Sequence, residues 1–222
     1  MLQNLISAPN LLTYYTDRRY SLEQLQTKPE LKKLDFVQME QTHGNQTLVI
    51  DNLDMIKSWP KQNYCYFAPQ VDALLTQEQN LALVVRTADC LPVLLYHPLW
   101  LIGVVHAGRK GTKKKILQKT LQLLKDKFGI KDQLTLWFGP RICKKCHEID
   151  SVKKLHFDLL AENIQQTRQV FKTNQAKIID SGHCTSCEHK RFYSYRLGDE
   201  LRNYGVIVQK AGLLPTPLTK LH

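Results

Sequence analysis

Short apolar runs recur along this sequence, and their spacing constrains the fold more than any other feature. Each run is rich in Val, Ile and Leu and is shorter than a typical helix, as expected of strands buried on both faces. The runs occupy residues 34–38, 47–51, 81–86, 91–96, 101–106, 134–138 and 176–180. Helical patterns lie between them. The alternation predicts an α/β fold, a single mixed, layered α/β domain spanning residues 1–222.

Two amphipathic segments are predicted to form helices. The first has Thr112 as its N-cap and Gly129 as its C-terminal stop. The second is predicted to begin at Ser151. The apolar face of the first comprises Ile116, Leu117, Thr120, Leu121, Leu124 and Phe128, and that of the second comprises Val152, Leu155, Leu159, Leu160 and Ile164. Because both faces repeat with helical spacing, they are expected to turn inward.

A cysteine and a histidine stand at the ends of two neighbouring runs. The fourth and fifth runs are separated by a short segment containing Pro98, so an antiparallel hairpin is the simplest connection. If Tyr96 faces Leu101, Cys90 and His106 arrive beside each other at the open end of the hairpin, within a one-residue shift of register. The spacing therefore predicts that Cys90 and His106 share a site.

A neighbouring thiolate and imidazole have two uses, as a nucleophilic pair or as zinc ligands. The best third ligand is His43, in the polar segment QTHGNQ that precedes the second run. One cysteine and two histidines would leave a fourth position open to water or substrate, which is typical of a catalytic zinc site. A hydrolase without metal, with Cys90 as nucleophile and His106 as base, stays open as an alternative.

Composition narrows the cellular setting and the partners. The chain has neither a secretory start nor an uninterrupted apolar stretch of about 18 residues, so a cytoplasmic protein without a membrane partner is expected. The net charge of +11 attracts anions, but the basic residues are scattered except at 113–115. Without a recognisable nucleic-acid motif, only weak, non-specific DNA binding is expected. The oligomeric state is left open.

Six ordered blocks between Gln41 and Arg196 resemble the laccase-domain family, described both as polyphenol oxidoreductases and as purine nucleoside phosphorylases. The blocks are QTHGNQ, VDALLT, TADCLPVLL, GVVHAGRKGT, GPRICKKCHEID and CTSCEHKRFYSYR. The resemblance implies a mixed α/β layered fold related to the catalytic domain of cytotoxic necrotizing factor, a cysteine hydrolase fold. It also implies a catalytic zinc ion held by His43, Cys90 and His106.

The same resemblance implies a reaction. Adenosine, inosine, guanosine or methylthioadenosine would react with phosphate to give the free base and a ribose 1-phosphate or its methylthio analogue, with adenosine deamination as a companion activity. A purine nucleoside and phosphate would then be the partners. A copper polyphenol oxidoreductase is a weaker alternative, since the sequence has eight scattered histidines and no His-x-His pair, whereas multicopper sites need many imidazoles.

Further site residues are predicted around the three ligands. Asp89 or Asp72 would orient a ligand or act as a base, although Asp72 could also only cap a turn. The turn in HAGRKGT leads from a strand into a helix start, where backbone N–H groups favour phosphate. The aromatic residues of RFYSYR could stack on a purine. The predicted catalytic residues are His43, Cys90, His106 and Asp89, and the predicted substrate-binding residues are Gln41, Arg109, Lys110, Thr112 and Arg196.

The chain departs from the family pattern at two places. The usual HAGWRG is HAGRKG here, so Arg109 and Lys110 replace a stacking Trp and a bidentate Arg. The glycine-rich GGxS segment near the N-terminus is absent, and Arg18 or Arg19 could replace its anion-binding Arg. These changes bear on the choice of substrate and on the rate, not on the metal.

The remaining cysteines raise a separate question. Two C-x-x-C pairs have the form of a four-cysteine zinc site, formed by Cys143, Cys146, Cys184 and Cys187. The family has cysteines at the positions of Cys146 and Cys184 without needing a structural zinc. Free buried thiols are therefore the favoured interpretation, and a second zinc ion at the four cysteines is the alternative.

Overall fold

Two mixed β-sheets form the centre of the protein in a computed structural model that describes residues 1–212. Residues 213–222, which the single-domain prediction includes, lie outside the described residues. The strands are β1 (Leu2–Gln3), β2 (Leu11–Tyr15), β3 (Asp35–Met39), β4 (Thr47–Ile50), β5 (Lys61–Gln62), β6 (Cys65–Ala68), β7 (Ala73–Thr76), β8 (Leu81–Thr87), β9 (Leu91–His97), β10 (Leu101–Ala107), β11 (Leu134–Phe138), β12 (Glu148–Asp150), β13 (Leu155–His156), β14 (Ala176–Asp180) and β15 (Asn203–Gln209). The helices are α1 (Leu22–Gln26), α2 (Leu53–Lys57), α3 (Arg109–Lys113), α4 (Ile116–Phe128) and α5 (Leu159–Val170), and a 3-10 turn spans Tyr195–Leu197.

The strand order mixes parallel and antiparallel neighbours. One sheet has the order β1-β2-β15-β8-β3-β6-β5 and the other has the order β14-β11-β9-β10-β7-β4. β3 lies parallel to β6 and β8, β4 parallel to β7, and β11 parallel to β14, while the other pairs in these two sheets are antiparallel. Each of the seven predicted apolar runs forms a strand. Most of these strands are buried, as expected of strands covered on both faces, whereas β4 and β14, at the two edges of the second sheet, are only partly buried.

The two sheets pack face to face and carry helices on their outer faces. Leu83 and Ile207 from the first sheet meet Leu94 and Ile102 from the second in a shared core. α4 and α5 cover the outer face of the second sheet, and α1 covers that of the first. The result is a four-layer α/β/β/α arrangement that confirms the predicted mixed, layered α/β fold. The likeness to cytotoxic necrotizing factor stays a prediction. Within residues 1–212, no helix is both long and apolar enough to cross a membrane.

The predicted start of the first helix is wrong. Gly108, not Thr112, caps α3, and the left-handed backbone of Lys115, with φ of 63°, separates α3 from α4. Thr112 lies inside α3 and is buried. The predicted end is confirmed, since Gly129 adopts a left-handed conformation and caps α4.

The second helix begins later than predicted. Asp158 caps α5, because its side chain accepts a hydrogen bond from the backbone N–H of Ala161 at 3.0 Å. Val152 is 90% exposed and Leu155 lies in β13, so neither belongs to a buried helical face. The periodicity that starts at Ser151 is local coincidence, and Asp158 supplies the real start signal.

The predicted hairpin is confirmed, but its register differs by one residue. Tyr96 of β9 pairs with Ile102 of β10, not with Leu101. His106 therefore lies opposite Pro92, and Cys90 stands just before β9. This shift keeps Cys90 and His106 at the same open end of the hairpin, which is the feature on which the site depends.

Candidate active site

Three side chains from distant parts of the chain converge at this end of the second sheet. His43 lies in the loop after β3, Cys90 in the turn between β8 and β9, and His106 on β10. One ligand atom from each lies within 4.8 Å of the other two. The Sγ of Cys90 is 3.9 Å from Nε2 of His43, and the two imidazole rings meet edge to face at 4.7 Å. The structure thus brings together the three residues that the sequence predicts as metal ligands.

Asp72 fixes two of these three residues. Its buried carboxylate lies 2.8 Å from Nδ1 of His106 and accepts the backbone N–H groups of His43 at 3.0 Å and Gly44 at 2.7 Å. Thr42 donates a further hydrogen bond from its hydroxyl group at 3.1 Å. Asp72 therefore both caps the loop that carries His43 and orients the ring of His106, leaving Nε2 of His106 as its remaining ring nitrogen.

The electrostatics of the cluster favour a thiolate. Burial acts to raise the pKa of the Cys90 thiol, but the positive charge and hydrogen bonds of His106 and His43 outweigh it and lower that pKa to about 6. Burial acts to lower the pKa of His106, but Cys90 and Asp72 raise it to about 9. Because the thiolate is the form that binds metals and attacks electrophiles, Cys90 is prepared for either use.

Gly108 leaves the space that the cluster needs. A Cβ atom at this position would fall 2.7 Å from Sγ of Cys90 and 3.1 Å from Cδ2 of His43. We expect Gly108→Ala to displace both side chains and to lower metal affinity at least about tenfold. Loss of a residue that holds a metal ligand in place typically lowers affinity by this amount. Isothermal titration of the metal-free protein with zinc measures this change.

The control for Gly108 is Gly129→Ala. No atom lies within 4 Å of a Cβ built at Gly129. Its φ of 64° is a left-handed conformation, which costs a residue with a Cβ about 1–2 kcal/mol. This control should therefore lower stability without changing zinc affinity. Equal zinc affinity in Gly108→Ala and the parent protein would contradict the steric argument.

A cavity of about 880 Å³ borders the cluster. Five cationic side chains and two carboxylates line it, so its charge suits an anionic ligand. These charged residues are Arg86, Asp89, Arg109, Lys110, Arg196, Glu200 and Arg202. The lining also includes Gln41, Ile142, His147, Leu159 and Tyr195. Of the predicted substrate-binding residues, the cavity brings together Gln41, Arg109, Lys110 and Arg196.

Two of the predicted residues are held by hydrogen bonds. The side-chain amide of Gln41 donates to the carbonyl oxygen of Arg86 at 2.8 Å, and its oxygen accepts the Arg86 N–H at 2.9 Å. Asp89 accepts from the hydroxyl of Thr185 at 2.6 Å, from the hydroxyl of Ser194 at 2.8 Å and from the N–H of Arg196 at 2.7 Å. Both side chains therefore position the wall of the cavity.

Thr112 does not line the cavity, which corrects its prediction as a substrate-binding residue. It is buried between α3 and α5, where its hydroxyl accepts a hydrogen bond from the side-chain amide of Asn163 at 3.1 Å. Its carbonyl oxygen accepts a second bond from Gln166 at 2.8 Å. The residue follows the cavity-lining pair Arg109 and Lys110, but the turn of α3 directs it inward.

Sequence reasoning missed several residues of the lining. His147, Arg202 and Glu200 carry no motif that marks them, although His147 lies in a block that the resemblance uses. Tyr195 and Arg196 come from the RFYSYR segment, which forms a bend and a 3-10 turn. Only the packing of this segment against Asp89 places it at the cavity.

Arg18 and Arg19 do not line the cavity, so neither replaces the missing anion-binding residue there. Arg19 pairs with Asp17. Arg18 pairs with Asp199, which also accepts hydrogen bonds from His189 at 2.9 Å and from the N–H of Ser194 at 2.8 Å. The Arg18–Asp199 pair thus ties the N-terminal region to the segment that forms the cavity wall.

This pair predicts a pH dependence of stability. Burial acts to raise the pKa of Asp199, but the hydrogen bond from Arg18, followed by those from Ser194 and His189, lowers it from 3.8 to about 2. A lowered pKa stabilises the folded state above pH 3.8, and this stabilisation is lost as the pH falls toward 2. We expect Asp199→Asn to lower the free energy of unfolding by about 1–3 kcal/mol near neutral pH. The loss of stability as the pH falls from 3.8 toward 2 should be smaller in this variant than in the parent protein.

Denaturant unfolding at several acidic pH values measures the Asp199 effect. Asp54→Asn is the control, because Asp54 is exposed and its ion pair with Lys57 lies at the surface. If the free energy of unfolding falls equally steeply at acidic pH in Asp199→Asn and in the parent, Asp199 does not cause the predicted pH dependence.

Comparison with known proteins identifies the family. A family model described as "Multi-copper polyphenol oxidoreductase laccase" matches residues 16–173, which is more than half of the chain. The protein belongs to this family. The match includes all three residues of the cluster and Asp72, whereas Cys184, Cys187 and the Tyr195–Leu197 turn of this laccase-family protein lie beyond it.

Relatives of this laccase-family protein carry the names of two kinds of enzyme. Adenosine deaminase RL5, from an unknown prokaryotic organism, is 30% identical over 185 residues, which cover 73% of this chain and 70% of that protein. Purine nucleoside phosphorylase Cj1217c of Campylobacter jejuni is 29% identical over 183 residues, which cover 77% of this chain and 75% of that protein. At the level of the family, the names are those of enzymes.

Solved structures support the fold of this laccase-family protein. The crystal structure of the hypothetical protein YfiH from Bacillus licheniformis matches with a TM-score of 0.68 and 25% identity, covering 79% of this chain and 74% of that one. YlmD from Geobacillus stearothermophilus matches with a TM-score of 0.70 and 24% identity over the same shares. These matches agree with the mixed, layered α/β architecture.

Proposed function

We propose that this protein is a zinc-dependent purine nucleoside phosphorylase. It would cleave adenosine, inosine, guanosine or methylthioadenosine with phosphate, and adenosine deamination would be a companion activity. The observation that carries the proposal is the cluster of His43, Cys90 and His106 beside a cation-lined cavity. The relative named purine nucleoside phosphorylase supports the phosphorolysis, and the relative named adenosine deaminase supports the companion activity.

The donor set fits zinc. Two imidazole nitrogens and one thiolate are typical zinc ligands, and three protein ligands leave a fourth position for substrate. The bond between Asp72 and Nδ1 of His106 is the carboxylate–histidine contact that commonly orients a zinc-binding imidazole. The chemistry that zinc would supply there is Lewis-acid polarisation of a substrate oxygen.

The cationic lining suits phosphate as the second substrate. In phosphorolysis, an oxygen of phosphate bonds to C1′ of the ribose while the bond from C1′ to the purine nitrogen breaks. Arg109, Lys110 and Arg196 would hold the phosphate near C1′ and offset its negative charge. Lys110 provides a point charge where a bidentate arginine is usual in the family, so weaker orientation of phosphate is part of this proposal.

An exposed aromatic ring is available for the base. Tyr195 is 70% exposed and lines the cavity, and the guanidinium carbon of Arg202 lies 5.6 Å from the centroid of its ring. A purine could stack on this ring. Phe192, by contrast, is fully buried and packs against Tyr15, so it serves the core.

The deciding experiment is chromatography with mass detection on adenosine and inosine incubated with the zinc-loaded protein. Free base and ribose 1-phosphate should form only when phosphate is present. Base release that is equal with and without phosphate would indicate hydrolysis, and absence of base release under both conditions would contradict the proposal. Inosine formed from adenosine without phosphate would report the companion deamination.

A metal-independent Cys/His hydrolase is the second candidate. The observation that favours it is the order Asp72, His106, Cys90, in which a buried carboxylate orients an imidazole beside a thiol of lowered pKa. Alkylation by iodoacetamide separates the two candidates. Both outcomes are measured on the active protein in the presence of zinc. If Cys90 binds zinc, the ion should protect it from alkylation. If Cys90 is a catalytic thiolate without metal, it should be alkylated quickly.

Copper polyphenol oxidation has the least support. Multicopper sites need several imidazoles around neighbouring ions. Within residues 1–212, the two groups of candidate metal ligands are the cluster with two histidines and one cysteine and a second group made only of cysteines.

A cytoplasmic location is also part of the proposal, because the free cysteines suit a reducing compartment.

A further inference from the structure

Four cysteine side chains converge outside the candidate active site. They come from two C-x-x-C segments, Cys143 with Cys146 and Cys184 with Cys187, and all four sulfur atoms lie within 4.8 Å of one another. The Sγ of Cys187 is 3.5 Å from that of Cys146 and 4.0 Å from that of Cys143. Four sulfurs bound to one zinc ion at about 2.3 Å would lie about 3.8 Å apart, so little movement is needed to close the site.

The backbone prepares both segments for a metal. Cys143 accepts the N–H groups of Cys146 and His147 through its carbonyl oxygen at 3.1 and 3.0 Å, which closes the first turn. The Sγ of Cys184 accepts the N–H groups of Cys143 at 3.2 Å and Cys187 at 3.4 Å. An isolated parallel bridge between Arg141 and Cys184 then holds the two segments side by side.

The donor set is specific in its chemistry. Four thiolates without an oxygen or nitrogen ligand form a closed tetrahedral site, which is typical of structural zinc. No disulfide bond joins the four cysteines, since the Sγ atoms of Cys146 and Cys187 lie 3.5 Å apart and a disulfide bond is about 2.05 Å long. Of the four, only Cys184 is buried, so the sequence-based interpretation of free buried thiols does not describe Cys143, Cys146 or Cys187.

The cluster is joined directly to the wall of the cavity. Ile142 and His147, which line the cavity, flank the first C-x-x-C segment. The N–H of Ile142 donates to the carbonyl oxygen of Asp89 at 2.9 Å. Thr185, inside the second segment, donates its hydroxyl hydrogen to the Asp89 carboxylate at 2.6 Å. Any group that binds the four sulfurs therefore also holds the residues around Asp89.

We propose that Cys143, Cys146, Cys184 and Cys187 bind a second, structural zinc ion that fastens together the two segments behind Asp89. The metal site is independent of the proposed phosphorylase function, because it requires only the four sulfurs and their backbone contacts. Its structural effect is to hold one wall of the cavity in place.

Metal stoichiometry tests the proposal on the full chain, purified under reducing conditions and loaded with zinc. We expect two zinc ions per chain in the parent, one in Cys90→Ser and one in the double variant Cys143→Ser/Cys187→Ser. Cys65→Ala, which changes a buried thiol of β6 in the other sheet, should retain both ions. One ion per chain in the parent, lost in Cys90→Ser, would overturn the proposal.

Cobalt and a thiol reagent keep the test decisive if the double variant does not fold. In cobalt-loaded Cys90→Ser, the absorption of a tetrahedral four-thiolate site should persist. Titration of zinc-loaded Cys90→Ser with p-mercuribenzoate should release one zinc ion as the four thiols react. Absence of this absorption and of zinc release, or a mass lower by about 2 Da from a disulfide, would each overturn the metal site.

Hydrogen exchange tests the structural effect on the cavity wall. Removing the zinc ion from Cys90→Ser should increase exchange at the amides of Ile142, Thr185 and Arg196, whereas strands β9 and β10 should stay protected. Unchanged exchange at those three amides would show that the ion does not fasten the wall.

Discussion

Replacement of Cys90 by alanine is expected to remove the proposed zinc ion from the candidate active site and to lower the proposed phosphorolysis by more than about 100-fold, since loss of a residue that only orients a metal ligand already costs about 10–100-fold. Cys90 provides the only thiolate of the three-residue cluster, and two histidines alone hold zinc weakly. Removing the thiol does not disturb the buried strands, because Cys90 lies in the turn between β8 and β9. The variant should therefore fold.

Two measurements check the Cys90→Ala result. Elemental analysis should find one zinc ion fewer per chain than in the parent, and thermal unfolding should still be cooperative. Cys65→Ala is the matched control, because it removes a thiol from a strand that does not border the cavity. Full activity together with full metal content in Cys90→Ala would exclude the proposed mechanism.

Replacement of Asp72 by asparagine is expected to affect both metal binding and stability. The carboxylate accepts hydrogen bonds from the loop that carries His43 and from Nδ1 of His106. An asparagine of the same shape would direct N–H groups at one set of these donors and leave them unpaired. We expect zinc affinity to fall by about 10–100-fold and the free energy of unfolding to fall by about 3 kcal/mol or more.

Asp126→Asn is the control for Asp72, because Asp126 is exposed on α4 and accepts a hydrogen bond from Gln122, one turn earlier on the same helix. Zinc titration and denaturant unfolding on the metal-free proteins separate the two effects. Loss of stability with unchanged zinc affinity would mean that Asp72 caps the loop without orienting His106. Parent-like values for both quantities would contradict the role assigned to this buried carboxylate.

The candidate site shows which residues local sequence patterns can predict and which they cannot. The proximity of His43, Cys90 and His106 was predictable, because each lies beside or at the end of an apolar run and carries a side chain with metal-binding chemistry. Asp72 was named only as one of two candidate carboxylates, because its spacing does not reveal that it contacts both His43 and His106. Thr112 was misplaced because a short helix, interrupted at Lys115, directs it inward.

The sequence by itself determined the alternation of strands and helices and the chemical identity of the candidate metal ligands, because burial periodicity and side-chain chemistry are local properties. Only the tertiary structure decided the order of the strands, the one-residue shift of the hairpin and the wall formed by Tyr195 and Arg196. It also decided the meeting of Cys143 with Cys184, 41 residues apart. These features depend on long-range pairing and packing, whose energies involve partners that no local pattern identifies.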